Sequence, residues 1–221
     1  MVSARVVAIT APMIPECVTA GEFIAYAARV SNPANQANAL TAPKLLAYLI
    51  RNRHWSPFEM ASATVEVVTT RDIARQLLRH RSFSFQEFSQ RYTEVEAEPV
   101  HRETRGQHPN NRQASVPMGD GDVSFWWHSQ QDQIAKSAKA VYDKALRYGI
   151  AKEVARAVLP EGLTPSTLYV AGTFRSWLHY LDVREEEGTQ KEHRELAGAI
   201  RSALATAEPL IFSKAESSHG A

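Results

Sequence analysis

The most informative stretch of the chain is Arg79-His80-Arg81-Ser82-Phe83-Ser84-Phe85-Gln86-Glu87-Phe88-Ser89-Gln90-Arg91-Tyr92. It begins with three cationic or cation-capable side chains in a row, and Ser89 and Arg91 follow near its end. Arginine suits phosphate because its planar guanidinium group donates two parallel hydrogen bonds to the oxygens. The hydroxyl group and backbone amides around Ser89 can complete a phosphate site. The stretch therefore predicts an anion site, with a solvated basic loop as the alternative.

The rest of the chain carries no comparable excess of charge. Its 221 residues have a formal net charge of +1, which is too small for the basic field that binds nucleic acids non-specifically. The hydrophobic share of 44% is that of an ordinary globular protein, and the length suits one substantial core or two small lobes. The local arginine cluster thus predicts a small anionic ligand and no nucleic-acid partner.

Cys17 is the single cysteine, so the chain can form neither an intramolecular disulfide nor a cysteine-based zinc site. We expect no metal site. No stretch is long and apolar enough to span a bilayer, and the N-terminus lacks the pattern of a signal peptide. We therefore expect a cytoplasmic protein without a membrane partner.

The spacing of apolar residues predicts an α/β (α+β) protein, which we expect to form a single domain over residues 1–221. The predicted strands span 2–10, 62–70 and 167–171, with a further extended segment at 82–85. The predicted helices span 22–30, 71–80, 124–148, 151–158, 173–183 and 191–207, and another starts at 41. We expect a mixed central sheet flanked by the long helices.

The helix predicted at 71–80 carries arginine at every fourth position. We interpret Arg71 as part of its solvated face. Gln76 and Arg79 lie in the last turn, so both can lean into a site at the end of the helix. This places the start of the basic stretch at a helix terminus.

Two segments carry no periodic pattern. Residues 99–122 are rich in Pro, Gly, Asn, Gln and Arg, and a connection of this length without its own structure is usually functional or disordered. We expect a mobile loop near the site entrance. The polar tail at 213–221 is predicted to be frayed.

The order Arg-His-Arg, seven residues, Ser89, then Gln-Arg-Tyr resembles the signature of the flavin-dependent thymidylate synthases. Five further stretches resemble the same family in the family's order, from about residue 28 to about residue 195. They are Ala28-Arg29-Val30-Ser31, His54-Trp55-Ser56-Pro57-Phe58-Glu59, Ala155-Arg156-Ala157-Val158-Leu159-Pro160, Gly172-Thr173-Phe174-Arg175-Ser176-Trp177-Leu178-His179 and Asp182-Val183-Arg184.

The resemblance implies a substrate, deoxyuridine monophosphate (dUMP), and the residues that bind it. These are Gln76, Arg79, Glu87, Ser89, Gln90, Arg91, Arg156 and Arg184. Arg91 and Ser89 suit the phosphate. Arg184 is the implied catalytic arginine, because it would stabilise negative charge at the O2 and N3 edge of the pyrimidine and so activate C5. Ser89 joins it in the catalytic site, where we assign it to substrate positioning rather than to nucleophilic attack.

The resemblance also implies FAD as cofactor, with NADPH and 5,10-methylenetetrahydrofolate as co-substrates. The implied FAD contacts are Ser31, His54, Ser56, Arg79, His80, Arg81, Glu87, Thr173, Arg175 and His179. It further implies a homotetramer in which neighbouring chains share each site. Cys17 has no His or Arg neighbour and reads as an inert thiol, so a route without an enzyme thiol fits the chain better than the cysteine-dependent synthase class.

The chain departs from the family pattern at three places, one of which is an extra residue between Arg156 and Arg175. Thr173 stands where the family usually has Asn, and the run 185–190 replaces a Ser-His-Ala-Gln-like sequence after Arg184. These departures affect the adenine contacts and the loop after Arg184. Two other functions stay open from the residues: a non-catalytic RNA- or nucleotide-binding module that uses 79–92 as a basic-aromatic patch, and a flavoprotein acting on another nucleotide.

Overall fold

A computed structural model describes residues 2–213, and its centre is a four-stranded antiparallel sheet with the strand order β1-β2-β6-β3. A separate two-stranded hairpin pairs β4 with β5. The strands are β1 (Ser3–Ile9), β2 (Ser62–Thr70), β3 (Ser84–Glu87), β4 (Arg105–Gln107), β5 (Ser115–Pro117) and β6 (Pro165–Thr173). The short strand β3, which lies within the basic stretch, is therefore an edge strand of the main sheet.

Eight α-helices surround the sheet in the part of the chain from 2 to 213. They are α1 (Ala20–Ala28), α2 (Ala42–Arg51), α3 (Arg71–Leu77), α4 (Asp122–Arg147), α5 (Lys152–Ala155), α6 (Phe174–Arg184), α7 (Lys191–Ala207) and α8 (Pro209–Phe212). Helix α7 packs on β1 and β2, and α6 packs on α7 and on β6. The α/β (α+β) class is thus confirmed.

The core follows from the side chains that alternate along the two central strands. Ala63, Val65 and Val67 of β2 are buried while the residues between them are partly exposed. Leu168 and Val170 of β6 are fully buried beside them. Alternating apolar side chains give a strand one buried face, and the helices cover that face. This places β2 and β6 at the middle of the domain.

The structure corrects several expectations. The sheet is antiparallel throughout rather than mixed, because the direction of a strand that pairs across a long connection is not encoded in local alternation. Strand β6 extends beyond the predicted 167–171 at both ends, and the helix predicted at 71–80 stops at Leu77. The helix predicted at 151–158 divides into α5 and a 3-10 turn at Arg156–Val158.

The segment 99–122 is not devoid of secondary structure, since it contains the β4–β5 hairpin. Arg102 donates to both carboxylate oxygens of Asp72 at 2.8 and 3.0 Å, and Arg105 donates to Glu192 at 2.5 Å. These ion pairs join the hairpin segment to α3 and α7. Its mobility stays a prediction, and the tail predicted to be frayed lies beyond Ser213 outside the described residues.

Candidate active site

The basic stretch runs from the end of α3 through β3 to a turn, and Phe83 fixes its position. The Phe83 ring lies 4.4 Å from that of Trp177, measured between centroids. It also covers Gly172, where an added Cβ atom would lie 2.2 Å from the ring. Only glycine at 172 leaves room for this contact. The residues on either side of Phe83 are therefore held against β6 and the first turn of α6.

Arg184 and His80 form the first polar contact of the site. The Nε atom of Arg184 donates to Nε2 of His80 at 2.8 Å. Burial, together with the charge of Arg184, lowers the pKa of His80 to about 4, so its ring is neutral and able to accept. The His80 ring also stands edge-on to Tyr180 at 5.0 Å. The guanidinium group of Arg184 is thus oriented by a neutral imidazole.

Gln76 belongs to the same region through a partly buried group of hydrogen-bonded side chains. Its Nε2 atom donates to Oε1 of Gln190 at 2.8 Å, and its Oε1 atom lies 3.1 Å from Nδ1 of His193. His193 is completely buried, and its Nε2 atom lies 3.2 Å from the hydroxyl group of Tyr180. The connected side chains are those of Gln190, Gln76, His193 and Tyr180, which we call the Gln76 network. His80 and Arg184 border this network, because the His80 ring contacts Tyr180.

A cavity of about 320 Å³ lies on another side of α3. Its polar lining includes Arg71, Arg75, Gln90, Glu153, Arg156 and Glu161. Gln90 is buried, and its Nε2 atom has no hydrogen-bond partner among residues 2–213. A buried amide without a partner is costly, which indicates that this donor serves a ligand or water. We call this space the arginine cavity.

Arg71 lines this cavity and is buried, so its interpretation as a solvated residue is wrong. Its Nη1 atom approaches Oε1 of Glu87 at 3.1 Å, as an ion pair rather than an aligned hydrogen bond. The same Glu87 oxygen accepts a hydrogen bond from Ser166 at 2.9 Å. The strand β3 brings Glu87 to this position, which local helical spacing cannot show. Glu87 is thus held by two partners from other elements.

Two predicted site arginines have carboxylate partners at the surface. Arg91 pairs with Glu153 at 2.9 Å, and Arg175 pairs with Glu59. Exposed ion pairs of this kind contribute at most about 1 kcal/mol, so either arginine can exchange its carboxylate for a phosphate. Arg79 and Arg81 are exposed and form no ion pair with any residue that the structure describes. Their charge is available to an anion.

The other predicted site residues lie around the start of α6 and on two connections. The Thr173 hydroxyl group caps α6 by accepting from the Ser176 amide, and the 3-10 turn Ser56–Glu59 packs against α6. The side chains of Ser31, Ser56, His54 and His179 are exposed. Ser31 and His54 lie on the connections that follow α1 and α2 and make no hydrogen bond to the other predicted site residues within 2–213. Within the described residues, hydrogen bonds therefore do not link these two to the Gln76 network or to α6.

Sequence reasoning missed several residues that the structure places in the site. Tyr180 and His193 are core residues by helical spacing, and nothing in that spacing reveals their polar partners. Gln190 falls in the run that departs from the family pattern. Arg75 and Glu153 line the arginine cavity. The repeat of arginine at every fourth position of α3 was the one signal that could have indicated Arg75, and no signal indicated Glu153. Cys17 is buried, and burial and two neighbouring carboxylates raise the pKa of its thiol, as an inert cysteine requires.

The same fold occurs in nucleotide-modifying proteins of known structure. The crystal structures of PolB from Streptomyces cacaoi, described as a UMP/dUMP methylase and bound with 5-Br dUMP or 5-Br UMP, superpose with a TM-score of 0.80. PolB is 29% identical, and the match covers 96% of this chain and 93% of the 5-Br dUMP-bound chain.

The chain belongs to the family described as thymidylate synthase complementing protein, whose model matches residues 15–210. It is 48% identical over 209 residues to the probable flavin-dependent thymidylate synthase of Paramecium bursaria Chlorella virus 1, covering 95% of this chain and 96% of the viral protein. It is 46% identical over 211 residues to the flavin-dependent thymidylate synthase of Synechocystis sp., covering 91% and 95% of the two chains. The family predicted from the sequence motifs is therefore confirmed.

Proposed function

We propose that the chain is a flavin-dependent thymidylate synthase that reductively methylates dUMP to dTMP. In the proposed reaction, 5,10-methylenetetrahydrofolate supplies the carbon and becomes tetrahydrofolate, while NADPH and a proton supply the reducing equivalents and NADP⁺ is released. The observation that carries the proposal is the orientation of Arg184 by neutral His80 beside Gln76, in a chain that matches its relatives over nearly their whole length.

Arg184 is the proposed catalytic residue. The hydrogen bond from its Nε atom to His80 fixes the guanidinium plane and leaves the two terminal nitrogens for a ligand. A guanidinium group at the O2 and N3 edge of the pyrimidine stabilises the negative charge that develops when C5 becomes nucleophilic. No enzyme thiol is needed for this activation, which fits the buried Cys17.

The residues proposed to bind dUMP fall into two groups within one chain. Gln76, Arg79 and Arg184 lie at or near the Gln76 network, whereas Gln90 and Arg156 line the arginine cavity. Arg91, with Ser89 in the turn before it, supplies the proposed phosphate contact. The division supports sites that are completed when two copies of the chain meet.

Helix α4 supports the proposed homotetramer. Trp126, Ile134 and Val141 of this helix, and Tyr148 directly after it, are large apolar side chains that are each at least half exposed. Their spacing of seven or eight residues places them on one side of the helix. An apolar stripe of this length on a single chain is typical of a surface that another protein covers. We infer that other copies of the chain cover it.

The side chains around the basic stretch fit a flavin dinucleotide. Arg79 and Arg81 are exposed and pair with no carboxylate among the described residues, so both guanidinium groups are available to the pyrophosphate. We propose that Arg79, Arg81 and Arg175 hold FAD. The remaining contacts are assigned to Ser31, His54, Ser56, His80, Glu87, Thr173 and His179. When bound and reduced, FAD supplies the hydride for the methyl group.

The proposed partners are small molecules, and the proposed compartment is the cytoplasm. The net charge of +1 favours a local anion site over nucleic-acid binding. Between residues 2 and 213, no helix is long and apolar enough to cross a membrane. In the same range, no three His, Cys, Asp or Glu side chains gather as they would around a metal ion.

Two measurements test the proposed function. The purified protein is expected to show the absorption spectrum of an oxidised flavin, which changes when dUMP is added. It is also expected to release tritium from C5 of labelled dUMP only when NADPH and methylenetetrahydrofolate are present. A flavin-free protein that binds oligonucleotides would instead support the RNA-binding module. Flavin without tritium release from dUMP would point to a different nucleotide substrate.

A further inference from the structure

The most deeply buried polar group at the candidate site is the imidazole of His193, at the start of α7. It is completely buried and lies between Gln76, which comes from α3, and Tyr180, which comes from α6. Both of its nitrogens have partners within 3.2 Å. No step of the proposed reaction uses this histidine. Its contacts instead point to the orientation of Gln76.

The direction of each hydrogen bond in this group follows from Glu192. An ionised carboxylate only accepts, so Nε2 of Gln190 donates to Oε2 of Glu192 at 2.9 Å. The Oε1 atom of Gln190 is then left to accept from Nε2 of Gln76 at 2.8 Å. The Oε1 atom of Gln76 consequently faces His193, whose Nδ1 atom must carry the proton. Each orientation is determined by the one before it.

Glu192 is the acceptor at one end of this series of hydrogen bonds, and two arginines lie beside it. Arg105 donates to its Oε1 atom at 2.5 Å, and Arg102 lies 3.8 Å from the same oxygen. Burial raises the pKa of Glu192, but its own backbone amide, Gln190 and the two arginines outweigh burial and lower the pKa below its usual range. The carboxylate is therefore ionised at neutral pH.

His193 lies towards the other end of this series of hydrogen bonds, and its protonation state is also defined. Burial, with the charge of Arg184, lowers the pKa of His193 to about 3, so its ring is neutral and has one donor and one acceptor. With the proton on Nδ1, the Nε2 atom accepts from the hydroxyl group of Tyr180. Every polar atom named in the network then has a compatible partner, which rigidifies a buried network of this kind.

We propose that His193 is a positioning residue that fixes the amide orientation of Gln76 for nucleotide binding. The inference rests on the proposed function, which assigns Gln76 to dUMP. With one N–H bonded to Gln190 and one lone pair bonded to His193, the amide presents its remaining donor and acceptor in a single arrangement. Without His193, the bond to Gln190 is the only one left, so the amide can pivot about that contact and part of the nucleotide affinity is spent on ordering it.

A double-mutant cycle tests this role. His193→Phe keeps a ring of similar size but removes the donor, and we expect it to weaken dUMP binding about fivefold, the loss of one neutral hydrogen bond. The rate at saturating dUMP should change less than twofold. His193→Asn, which keeps a donor near the Nδ1 position, should restore most of the affinity. In a Gln76→Ala background, His193→Phe should have no further effect.

Binding is measured by titration calorimetry with dUMP on the purified flavin-loaded protein, with flavin content and thermal unfolding recorded for each variant. Leu204→Ala, at a fully buried position on the same helix, is the control, because it should lower thermal stability and leave dUMP affinity unchanged. An equal loss of affinity from His193→Phe with and without Gln76 would overturn the inference, since that is the result of a general structural role.

The outcomes also separate this inference from the proposed function. If the wild-type protein binds dUMP and His193→Phe binds it equally well, only the role of His193 is wrong. If Gln76→Ala leaves dUMP affinity unchanged, the assignment of Gln76 is wrong and the role of His193 falls with it. If the wild-type protein does not bind dUMP at all, the proposed function is itself wrong.

Discussion

The Nε atom of Arg184 lies 2.8 Å from Nε2 of His80, and that ring nitrogen can accept the bond only while the imidazole is neutral. Burial and the adjacent guanidinium charge both disfavour protonation of His80. The ring in turn sets the direction of Arg184. The catalytic proposal and the acid sensitivity of the fold therefore depend on the same contact.

We expect the free energy of unfolding to fall as the pH is lowered from about 6.5 towards about 4. His80 and His193 have pKa values of about 4 and about 3 in the folded protein, below the value of 6.5 that histidine has when unfolded. The unfolded chain therefore binds more protons in this window, so acid favours it. Urea unfolding at a series of pH values measures the slope.

The control for this prediction is the variant in which His80 and His193 are both replaced by Asn. In this variant, the free energy of unfolding should fall less steeply between about pH 6.5 and about pH 5 than it does in the wild type. Glu208, whose pKa burial raises, contributes a slope of opposite sign in both proteins and cancels in the difference. Identical slopes for the two proteins would contradict the assignment of neutral buried histidines.

Arg184→Lys is expected to lower the rate of tritium release from C5 of dUMP about 100-fold, the scale of losing one donor aimed at developing charge. Lysine keeps the positive charge but lacks the planar group that His80 orients. Arg201→Lys is the control, because Arg201 is bonded to Glu185 and has no proposed role in the reaction. A rate in Arg184→Lys equal to that of the wild type would remove Arg184 from the catalytic step.

The two arginines on α3 should differ in their effect on stability although both form ion pairs near 3 Å. Arg71→Met leaves the carboxylate of Glu87 without its charge partner in a position that is 18% exposed, so we expect a loss of about 2 kcal/mol. Arg75→Met breaks a pair with Glu161 in which both side chains are half exposed, and we expect at most about 1 kcal/mol. Equal losses in denaturant unfolding would argue against the burial of Arg71.

Two glycine substitutions should have opposite effects. Gly172→Ala places a Cβ atom 2.2 Å from the Phe83 ring and should destabilise the protein by about 2 kcal/mol, with a loss of bound flavin as the basic stretch shifts. Gly198 lies within α7, and a Cβ atom added there would have no neighbour within 4 Å, so Gly198→Ala should stabilise the protein by about 1 kcal/mol. Thermal unfolding and flavin absorbance measure both. Normal flavin content in Gly172→Ala would show that Phe83 does not control the site.

Local spacing correctly predicts the elements whose burial depends on their own sequence. Leu46 and Leu49 of α2 are buried, as are Leu196 and Ile200 of α7, at the helical spacing of apolar residues from which both helices are predicted. The order of the family motifs also predicts the family from separate short stretches. Such signals are local, so they are available before the chain is folded.

The features that the sequence could not reveal depend on contacts between distant residues. Arg71 is buried because Glu87 reaches it from β3, and nothing in α3 encodes that partner. The hairpin in 99–122 is joined to α3 and α7 by Arg102 and Arg105. The composition of this segment indicates only a loop, because it does not reveal the carboxylate partners of these arginines. His193 resembles any other buried residue of an amphipathic helix until its partners are known.

Helix α3 is only seven residues long, yet Arg71 and Arg75 line the arginine cavity while the adjacent Gln76 enters the buried network. A compound bound in the arginine cavity would contact the same two turns of α3 that carry Gln76. Thermodynamic reciprocity then requires that the compound and a ligand at Gln76 alter each other's affinity by one common factor. The factor can lie above or below one, so such a compound need not resemble the pyrimidine in order to change how tightly the nucleotide binds.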